Sequence, residues 1–308
     1  MLTLHTNEPL INALSHYIDK ATDTLGEGDF ETSIPNLSLF RRERPAAPKT
    51  CVIEPSIVVV VQGAKKMWLG GEGFSYDTTR FLITSLELPA DSEVIHASKS
   101  TPCLGMVLKL NLEMMTELMM QSELAHHHSK SSGMSAGIGS ATPSILDPFL
   151  RLIQLIDEPR AIPIIAPLIQ REIHYRLLLS DQSAKLHQIT SVDSKGYRIS
   201  QAIEWIKSNL STPLRIEALA SRVQMSTPSF HQHFRQLTAM SPLQYQKWMR
   251  LSEAKRLMLN DHLSASSAAF KVGYESPSQF SREYSRLFGT SPKKDILLLR
   301  GSANQAER

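Results

Sequence analysis

The 308-residue chain contains only two cysteines, Cys51 and Cys103. Two cysteines are too few for the disulfide framework that stabilises many small secreted proteins. No stretch reaches the roughly 18 consecutive apolar residues that a membrane-spanning helix requires. The N-terminal sequence MLTLHTNEPL has neither the cationic start nor the apolar core of a secretory signal peptide. These absences predict a protein of the reducing cytoplasm without a membrane segment.

The motifs of common enzyme classes are missing as well. No P-loop, dinucleotide-binding fingerprint or nucleophile triad is present. A metal centre on a β-barrel needs several His and carboxylate ligands from neighbouring strands, whereas the strand-like region contains only His96. His126, His127 and His128 are adjacent, but they lie in a segment rich in Ser and Gly, which favours a solvated polar loop. We therefore predict no catalytic residue, no metal site and no cofactor.

Positive charge is concentrated in the last third of the chain. The formal net charge is only +3, but residues 195–300 contain 16 Lys and Arg against 7 Asp and Glu. The other residues contain 17 Lys and Arg against 23 Asp and Glu. A basic C-terminal segment beside an acidic remainder indicates that this segment binds a polyanion.

Hydrophobic periodicity divides the chain into regions of different class. Short apolar runs such as Ile57–Val61 and Lys66–Leu69, separated by Gly and Pro turns, predict a small antiparallel β-barrel between about residues 34 and 110. Helical periods follow, and a Ser- and Gly-rich loop is predicted over residues 126–142. The predicted helices are at about 112–124, 143–156 and 163–179.

The predicted fold class is therefore α+β with two domains, because the strands come first and the helices later. A small β-barrel with helices precedes an all-α domain. The predicted boundaries are 1–180 for the first domain, 181–196 for a linker, 197–300 for the second domain and 301–308 for a tail.

A gapless duplication lies in the basic segment. Residues 226–242 align with residues 276–292 at an offset of 50. Aromatic residues and leucine recur at i, i+4 and i+7 in both copies, which places them on one face of a helix. The paired positions are Phe230 and Phe280, Phe234 and Tyr284, and Leu237 and Leu287.

A second match upstream completes each repeat. Ala220 and Val223 correspond to Ala269 and Val272 at an offset of 49, so the second copy has one extra residue in its turn. Each copy predicts a short helix, a tight turn and a second helix with Ser226 or Ser276 as its N-cap. The segment therefore contains two helix-turn-helix units in tandem, the form in which the second helix enters the major groove of DNA.

These motifs resemble the DNA-binding part of the AraC/XylS family of bacterial transcription regulators. The resemblance covers residues 197–296, and its text includes Ile216–Ala220, Met240–Tyr245, Val272–Ser276 and Phe288–Pro292. Gln224 and Ala239 stand where this family more usually has glycine. We expect these two residues to strain the first unit without loss of the fold.

The region from Glu31 to Leu179 is similar to the N-terminal effector domain of the cupin-like branch of the same family. The matching text is Glu54–Ser56, Val61–Lys66 and Leu88–Pro89. The resemblance implies a cupin-like barrel that senses a small-molecule effector or dimerises, and RNA polymerase as a partner of the DNA-bound protein. The apolar lining of the barrel is a candidate pocket, with Trp68, Phe81 and Met106 as candidate ligand-binding residues.

An apolar stripe in the helices after the barrel is a candidate homodimer interface. Packing of this stripe against the barrel explains the pattern equally well. The stripe consists of Ile165, Leu168, Ile169, Ile173 and Leu177.

The helical pattern also selects candidate DNA-binding residues. On the face opposite the aromatic residues, the first unit has Ser229, His231, Gln232 and Arg235, and the second has Ser278, Gln279, Ser281, Arg282 and Arg286. Gln and Arg side chains read the edges of adenine and guanine through paired hydrogen bonds. We assign base contacts to His231, Gln232, Ser278 and Arg282, and phosphate contacts to Arg235, Lys271 and Arg286.

The two recognition faces differ in charge. Arg282 and Arg286 in the second copy replace Gln232 and Gln236 in the first. We therefore predict that the double-stranded DNA site is asymmetric.

The favoured function is a ligand-responsive transcription regulator, and three alternatives remain. A DNA-targeted repair enzyme of the type that carries this module would need a zinc-bound cysteine cluster, for which two cysteines are too few. A redox or electrophile sensor would use Cys51 and Cys103, although a free cysteine is more often a small buried hydrophobe. An architectural protein would bind DNA identically with any metabolite present. The sequence leaves open the operator, the effector and the direction of regulation.

Overall fold

The fold is described from a computed structural model of the chain. The described residues are 7–121, 133–191 and 194–306. The chain divides into two compact units, Met1–Tyr197 and Arg198–Arg308. Within the described residues, no helix combines the length and the apolar composition needed to cross a bilayer.

The first unit is built on a curled antiparallel sheet. Its strands are β1 (Gly28–Glu31), β2 (Leu37–Arg42), β3 (Ala46–Ile53), β4 (Ser56–Gln62), β5 (Ala64–Leu69), β6 (Glu72–Asp77), β7 (Arg80–Thr84), β8 (Leu88–His96), β9 (Cys103–Lys109) and β10 (Ala136–Ser140). Their order is β1-β2-β9-β4-β7-β6-β5-β8-β3, with β10 paired to β7. In the described part of the chain no pairing joins β1 to β3, so the sheet remains open.

Both faces of this sheet are buried at its central strand β4. Side chains alternate between the two faces of a strand. On β4, Ile57, Val59 and Val61 belong to the core shared with the helices, whereas Val58 and Val60 are buried on the opposite face. We call the first the helix-facing side and the second the inner side of the curled sheet. A continuous apolar run on β4 follows from this burial on both faces.

Five α-helices lie within the described residues of the first unit. They are α1 (Glu8–Thr22), α2 (Leu112–Gln121), α3 (Pro143–Gln154), α4 (Ile162–Leu178) and α5 (Ser183–Thr190). Leu14 of α1, Phe149 of α3 and Ile173 of α4 are almost fully buried against the helix-facing side. The Arg41 guanidinium group on β2 binds Asp19 of α1 at 2.6 Å and so ties α1 to the sheet.

Strand β10 lies where the sequence predicts a flexible loop. Residues 122–132 of that segment, which include the three adjacent histidines, lie outside the described residues. A Cβ atom on Gly139 would lie 2.2 Å from the Phe81 ring, and one on Gly137 would lie 2.2 Å from the Gln182 side chain. Gly139 is therefore needed because β10 packs closely against the buried Phe81 ring, whereas the flexible Gln182 side chain could move away from a Cβ atom at Gly137.

Two predicted boundaries also differ from the observed elements. The segment predicted as a linker, 181–196, contains α5, whose Leu186 and Ile189 are buried. A polar sequence with only two inward apolar residues gives a weak helical pattern, which explains the prediction. At the C-terminus, the last helix continues beyond Arg300 to Ala306.

The second unit is all-helical. Helix α6 (Lys195–Ser208) leads into it, followed by α7 (Ile216–Arg222), α8 (Thr227–Thr238), α9 (Pro242–Leu259), α10 (Ala265–Lys271), α11 (Pro277–Phe288) and α12 (Pro292–Ala306). Helices α7 and α8 form the first helix-turn-helix, and α10 and α11 form the second. The fold class is as predicted: a curled antiparallel sheet with helices, then a helical domain with two helix-turn-helix units.

Capping differs between the two recognition helices. The Ser276 hydroxyl accepts a hydrogen bond from the Gln279 N–H at 3.3 Å, as expected of an N-cap. Ser226 occupies the same position of α8 without a side-chain cap bond. A full capping box appears instead at the start of α9, between Ser241 and Gln244.

A buried histidine makes the stability of the first unit depend on pH. His174 Nε2 accepts a hydrogen bond from the Asn111 N–H at 2.9 Å, so Nδ1 carries the proton and donates to the Gln170 carbonyl at 2.6 Å. Burial lowers the pKa of His174, and the bond to Gln170 only partly opposes this. The unfolded chain therefore binds the proton more readily than the native state.

We expect the free energy of unfolding to decrease as the pH falls below about 6.5, the ordinary histidine pKa, by at most about 1.4 kcal/mol per pH unit from this residue. Above that pH its contribution is fully present. Urea unfolding between pH 5.5 and 7.5 measures the slope. His174→Gln should flatten it, whereas His231→Gln, at an exposed position, should not. Equal slopes for the two variants would contradict the assignment.

Candidate nucleic-acid interface

The two helix-turn-helix units contain left-handed residues at equivalent positions, one in the turn and one at the C-cap of the recognition helix. In the second unit these residues are Gly273 and Gly289, with φ of +90° and +74°. In the first unit Gln224 and Ala239 occupy the same places, with φ of +55° and +60°. A side chain with a Cβ costs roughly 1–2 kcal/mol in this conformation. Gln224 and Ala239 therefore have the strained backbone conformation that was expected of the first unit.

An arginine from the preceding long helix binds the carbonyl group of each turn. Arg198 of α6 donates to the Gln224 carbonyl at 2.7 Å. Arg250 of α9 donates to the Gly273 carbonyl at 3.3 Å, and also to the Leu210 and Thr212 carbonyls at 2.6 and 3.1 Å. The structural repeat thus extends to the helix before each unit, which the sequence alignment did not reveal.

The same connecting helix holds α11 through charged side chains. Lys247 Nζ lies 2.8 Å from Glu283 Oε1, and the Tyr274 hydroxyl donates to Glu283 Oε2 at 2.8 Å. Burial alone would raise the pKa of Glu283, but the hydrogen bonds from Lys247, Tyr274 and Gln279 outweigh it and hold the pKa below its usual range. Glu283 is therefore a carboxylate that positions α11 against α9.

A second ion pair holds the following helix. Lys255 Nζ lies 2.7 Å from Asp295 Oδ2 of α12, and the Tyr284 hydroxyl donates to the same oxygen at 2.7 Å. Lys255 also lies 4.4 Å above the Phe288 ring. The roles of Arg250, Lys247 and Lys255 cannot be predicted from the sequence, because the helical pattern does not distinguish a basic side chain that is paired from one that is solvated.

The recognition face of α8 is largely exposed. Phe230, Phe234 and Leu237 are buried, as the period predicts. On the opposite side, His231, Gln232 and Arg235 are exposed, and Ser229 is half-buried. The predicted contact residues of the first unit therefore share one accessible face.

The recognition face of α11 carries more charge. Phe280 and Tyr284 are fully buried. Ser278, Gln279, Arg282 and Arg286 are exposed, Ser281 is half-buried, and Lys271 is exposed at the end of α10. Gln279 contacts Glu283 weakly, at 3.4 Å.

Three arginines on the recognition helices carry unpaired charge. Among the described residues, no carboxylate lies within 4.0 Å of the guanidinium groups of Arg235, Arg282 or Arg286. Lys293 and Lys294, at the start of α12, are also exposed. This surface is therefore positively charged and accessible, as a surface that binds phosphate and base edges must be.

In the first unit, the three candidate ligand residues do not line the inner side of the sheet. Phe81 and Met106 are fully buried on the helix-facing side, within the core shared with α1 and α3. Trp68 lies on the outer face of β5, the face opposite the buried, inner-side residue Met67. Its Nε1 atom donates a hydrogen bond to Glu93 at 2.9 Å. Period-two alternation explains all three placements.

The two cysteines are poor candidates for a reactive pair. Cys103 is fully buried and Cys51 is half-buried. Burial raises the pKa of both thiols, outweighing the opposing charge of Lys65. The thiolate is the reactive form, so both sulfur atoms are held in their unreactive state. Among the described residues, no group of three or more His, Cys, Asp or Glu side chains could hold a metal ion.

A curled antiparallel sheet followed by paired helix-turn-helix units defines a two-domain DNA-binding regulator. Residues 33–185 match the family described as the AraC-type transcriptional regulator N-terminus, and residues 219–295 match a helix-turn-helix domain family. The chain belongs to the AraC family of transcription regulators.

Named relatives match over part of the chain. The HTH-type transcriptional activator RhaS of Escherichia fergusonii is 29% identical over 97 residues, which are 32% of this chain and 35% of that protein. RhaS of Escherichia coli O1:K1 / APEC is 24% identical over 124 residues, 40% of this chain and 44% of that protein. The match thus spans less than half the length of these relatives.

Solved structures match over most of the chain. ToxT from Vibrio cholerae O395, bound to (E)-4-(8-methylnaphthalen-1-yl)but-3-enoic acid, covers 85% of this chain and 98% of its own, with a TM-score of 0.60 and 10% identity. Wild-type ToxT from Vibrio cholerae with bound unsaturated fatty acid covers 88% and 96%, with a TM-score of 0.56 and 10% identity. At this identity the likeness shows the two-domain fold.

The left-handed C-cap of α8 gives a stability test. Ala239→Gly should raise the free energy of unfolding by about 1 kcal/mol, because relief of strain exceeds the added entropy of the unfolded chain. The reverse change, Gly289→Ala, should lower it by about 1 kcal/mol. A Cβ at Gly289 meets no atom within 4 Å, so only backbone conformation contributes.

The measurement is urea unfolding followed by tryptophan fluorescence in a Trp68→Phe background. This background leaves Trp205 and Trp248, both in the second unit, as probes. Destabilisation by Ala239→Gly would show that the left-handed conformation at this position is not strained.

Proposed function

We propose that the protein is a ligand-controlled transcription regulator that binds an asymmetric DNA site through α8 and α11. The observation that supports this most is the accessible, unpaired arginine surface of α11 within the second helix-turn-helix. Helices α8 and α11 enter the major groove, held at a fixed separation by α9.

The contact residues divide into two roles. His231 and Gln232 of α8, with Ser278 and Arg282 of α11, read base edges. Ser229, Gln279 and Ser281 lie beside them on the same faces. Arg235, Lys271 and Arg286 bind phosphates, which fixes the register of the protein on the duplex. Helix α11 has two arginines at the positions where α8 has Gln232 and Gln236. The two helices therefore prefer different bases.

The protein acts in the cytoplasm without catalysis, and bound DNA presents it to RNA polymerase. The inner side of the curled sheet receives the small-molecule effector. The RhaS relatives are named as transcriptional activators, and the ToxT structures contain bound organic acids. These facts support a regulator with a ligand site, in preference to a DNA-targeted enzyme, a redox sensor or an architectural protein.

DNA readout is tested by selecting binding sites from randomised DNA with the full chain, then measuring affinity by fluorescence anisotropy. Arg282→Ala should reduce discrimination at one base pair by about 1–3 kcal/mol. Arg286→Ala should weaken binding to all sequences alike and reduce the slope of log K against log salt by about one.

Arg256→Ala is the matched control for both variants. Arg256 is exposed on α9, but it pairs with Glu253 at 2.8 Å. Its replacement should leave affinity and specificity unchanged. A uniform loss of affinity for Arg282→Ala would remove its role in base reading. Failure of the wild-type chain to bind any DNA at low salt would remove the proposed function.

We further propose that a second copy of the chain docks on α4. Ile164 and Leu168 are 69% and 62% exposed, while Ile169, Ile173 and Leu177 of the predicted stripe are buried in the core. A groove of about 450 Å³ beside them is lined by Ile165, Leu168 and Ile169, and by side chains of α3. In a twofold arrangement, the exposed side chains of Ile164 and Leu168 in each copy enter the groove of the other copy.

Charge supports an antiparallel pairing of the two α4 helices. Residues 161–170 contain no charged side chain. Asp157, Glu158 and Arg160 precede this stretch with a net charge of −1, whereas Arg171, Glu172 and Arg176 follow it with a net charge of +1. An antiparallel twofold therefore places the acidic end of one copy opposite the basic end of the other.

The association is tested by light scattering and analytical ultracentrifugation over a range of concentrations. Leu168→Glu should shift the wild-type dimer to monomer without changing the melting temperature, because the side chain is exposed. Leu25→Glu, at a residue that is 53% exposed elsewhere in the same unit, should leave the dimer intact. A dimer that survives Leu168→Glu would exclude this face.

A further inference from the structure

The inner side of the curled sheet contains a buried lysine without a counter-charge. Lys65 on β5 is 9% exposed and lies on the same face as buried Met67 and Leu69. Among the described residues, no carboxylate lies within 4.0 Å of its Nζ atom, and no protein group accepts a hydrogen bond from it. An unpaired ammonium group in such a place is costly.

The contacts that Lys65 does make leave its charge uncompensated. Its Nζ atom lies 4.4 Å above the Phe40 ring, a cation–π contact. The Arg42 guanidinium carbon lies 5.9 Å from the same ring, so a second cation is close by. Asp29 does not neutralise Lys65, because it binds Arg42 at 2.6 Å and is largely exposed. Burial, with a further contribution from Arg42, lowers the pKa of Lys65.

The register of the sheet surrounds Lys65 with one polar and several apolar neighbours. Tyr76 on β6 is directly opposite Lys65, and Val94 on β8 is opposite on the other side. Directly opposed residues of antiparallel strands point to the same face, with Cβ atoms about 4.5–5.5 Å apart. Tyr76 is 3% exposed, and burial raises its pKa, so its hydroxyl remains a neutral donor.

Gly63 fixes this arrangement at the turn between β4 and β5. Its φ is +82°, and a Cβ atom there would lie 2.5 Å from the His96 carbonyl oxygen and 2.8 Å from Cys103 Cβ. The tight turn brings Lys65 into the curl two residues later, between β6 and β8. The position of the amine is therefore set by backbone geometry.

We propose that Lys65 and Tyr76 bind the carboxylate group of a small organic acid whose apolar part packs against the inner side of the sheet. The carboxylate supplies the counter-charge that Lys65 lacks, and the Tyr76 hydroxyl donates to its second oxygen. A single ammonium group and one hydroxyl match a monoanion better than a phosphate dianion. This inference rests on the proposed ligand control and names the class of the effector.

The test uses the full chain with hexanoate as the probe and hexanamide as its neutral counterpart, measured by isothermal titration calorimetry. Wild type should bind hexanoate and not hexanamide. Lys65→Met should weaken hexanoate binding by at least about tenfold. Tyr76→Phe should weaken it several-fold.

Lys66→Met is the matched control. The neighbouring Lys66 lies on the outer face, with its Nζ atom 3.8 Å from the Trp68 ring, so its replacement should leave hexanoate binding unchanged. Lys65→Met should melt no lower than wild type, because it replaces an unpaired amine by an apolar side chain. If Lys65→Met nevertheless fails to fold, Tyr76→Phe decides the proposal alone.

Three results would each overturn the proposal: equal hexanoate affinity in Lys65→Met and wild type, equal affinity of wild type for hexanamide, or no hexanoate binding at millimolar concentration. DNA binding by the same preparations is measured separately. Wild-type protein that binds hexanoate but no DNA would refute the regulator function and leave the anion site standing. Wild-type protein that binds DNA but no hexanoate would refute the anion site and leave the regulator function standing.

Discussion

The guanidinium group of Arg250 donates hydrogen bonds to three backbone carbonyls from two separate segments. Leu210 and Thr212 belong to the loop that leads into the first helix-turn-helix, and Gly273 forms the turn of the second. The same loop approaches so closely that a Cβ on Gly273 would lie 2.5 Å from the Ser211 carbonyl oxygen. A planar, permanently charged fork can hold these carbonyls together in one geometry, and a lysine cannot. Arg250 therefore fixes the relation between the two recognition helices.

This constraint gives a physical reason for the glycine in the second turn. The first turn passes through Gln224, whose carbonyl accepts a hydrogen bond from Arg198, whereas the second passes through Gly273 and meets both Arg250 and the loop before α7. Only glycine fits so close an approach, and Tyr274 continues it by binding Glu283. The two units have the same fold, but the second is held by charged and backbone contacts that the first lacks. The recognition helix of the second unit is therefore held by more contacts than that of the first.

The sequence predicted the elements whose pattern is local. Phe230, Phe234 and Phe280 recur at helical spacing, and their burial follows from that spacing alone. It could not predict contacts between distant segments. Gly139 looked like a loop residue because the Phe81 ring that requires a glycine there is far away in sequence. The positions of the candidate pocket residues could not be derived from the sequence for a similar reason: large apolar side chains occur on both faces of the sheet, and only the register identifies the inner one.

Two buried cations on opposite faces of this sheet illustrate the difference between structural and functional charge. Arg41, on the helix-facing side, lies within 3.3 Å of carboxylate oxygens from Asp19, Asp23 and Glu43, so its charge is matched by the protein itself. Lys65, on the inner side, has a π contact and a neighbouring cation instead. An apolar residue at this position would suit folding better, since Met67 and Leu69 fill the same face. The amine therefore costs stability that the fold does not require, and a bound anion is the partner that would recover it.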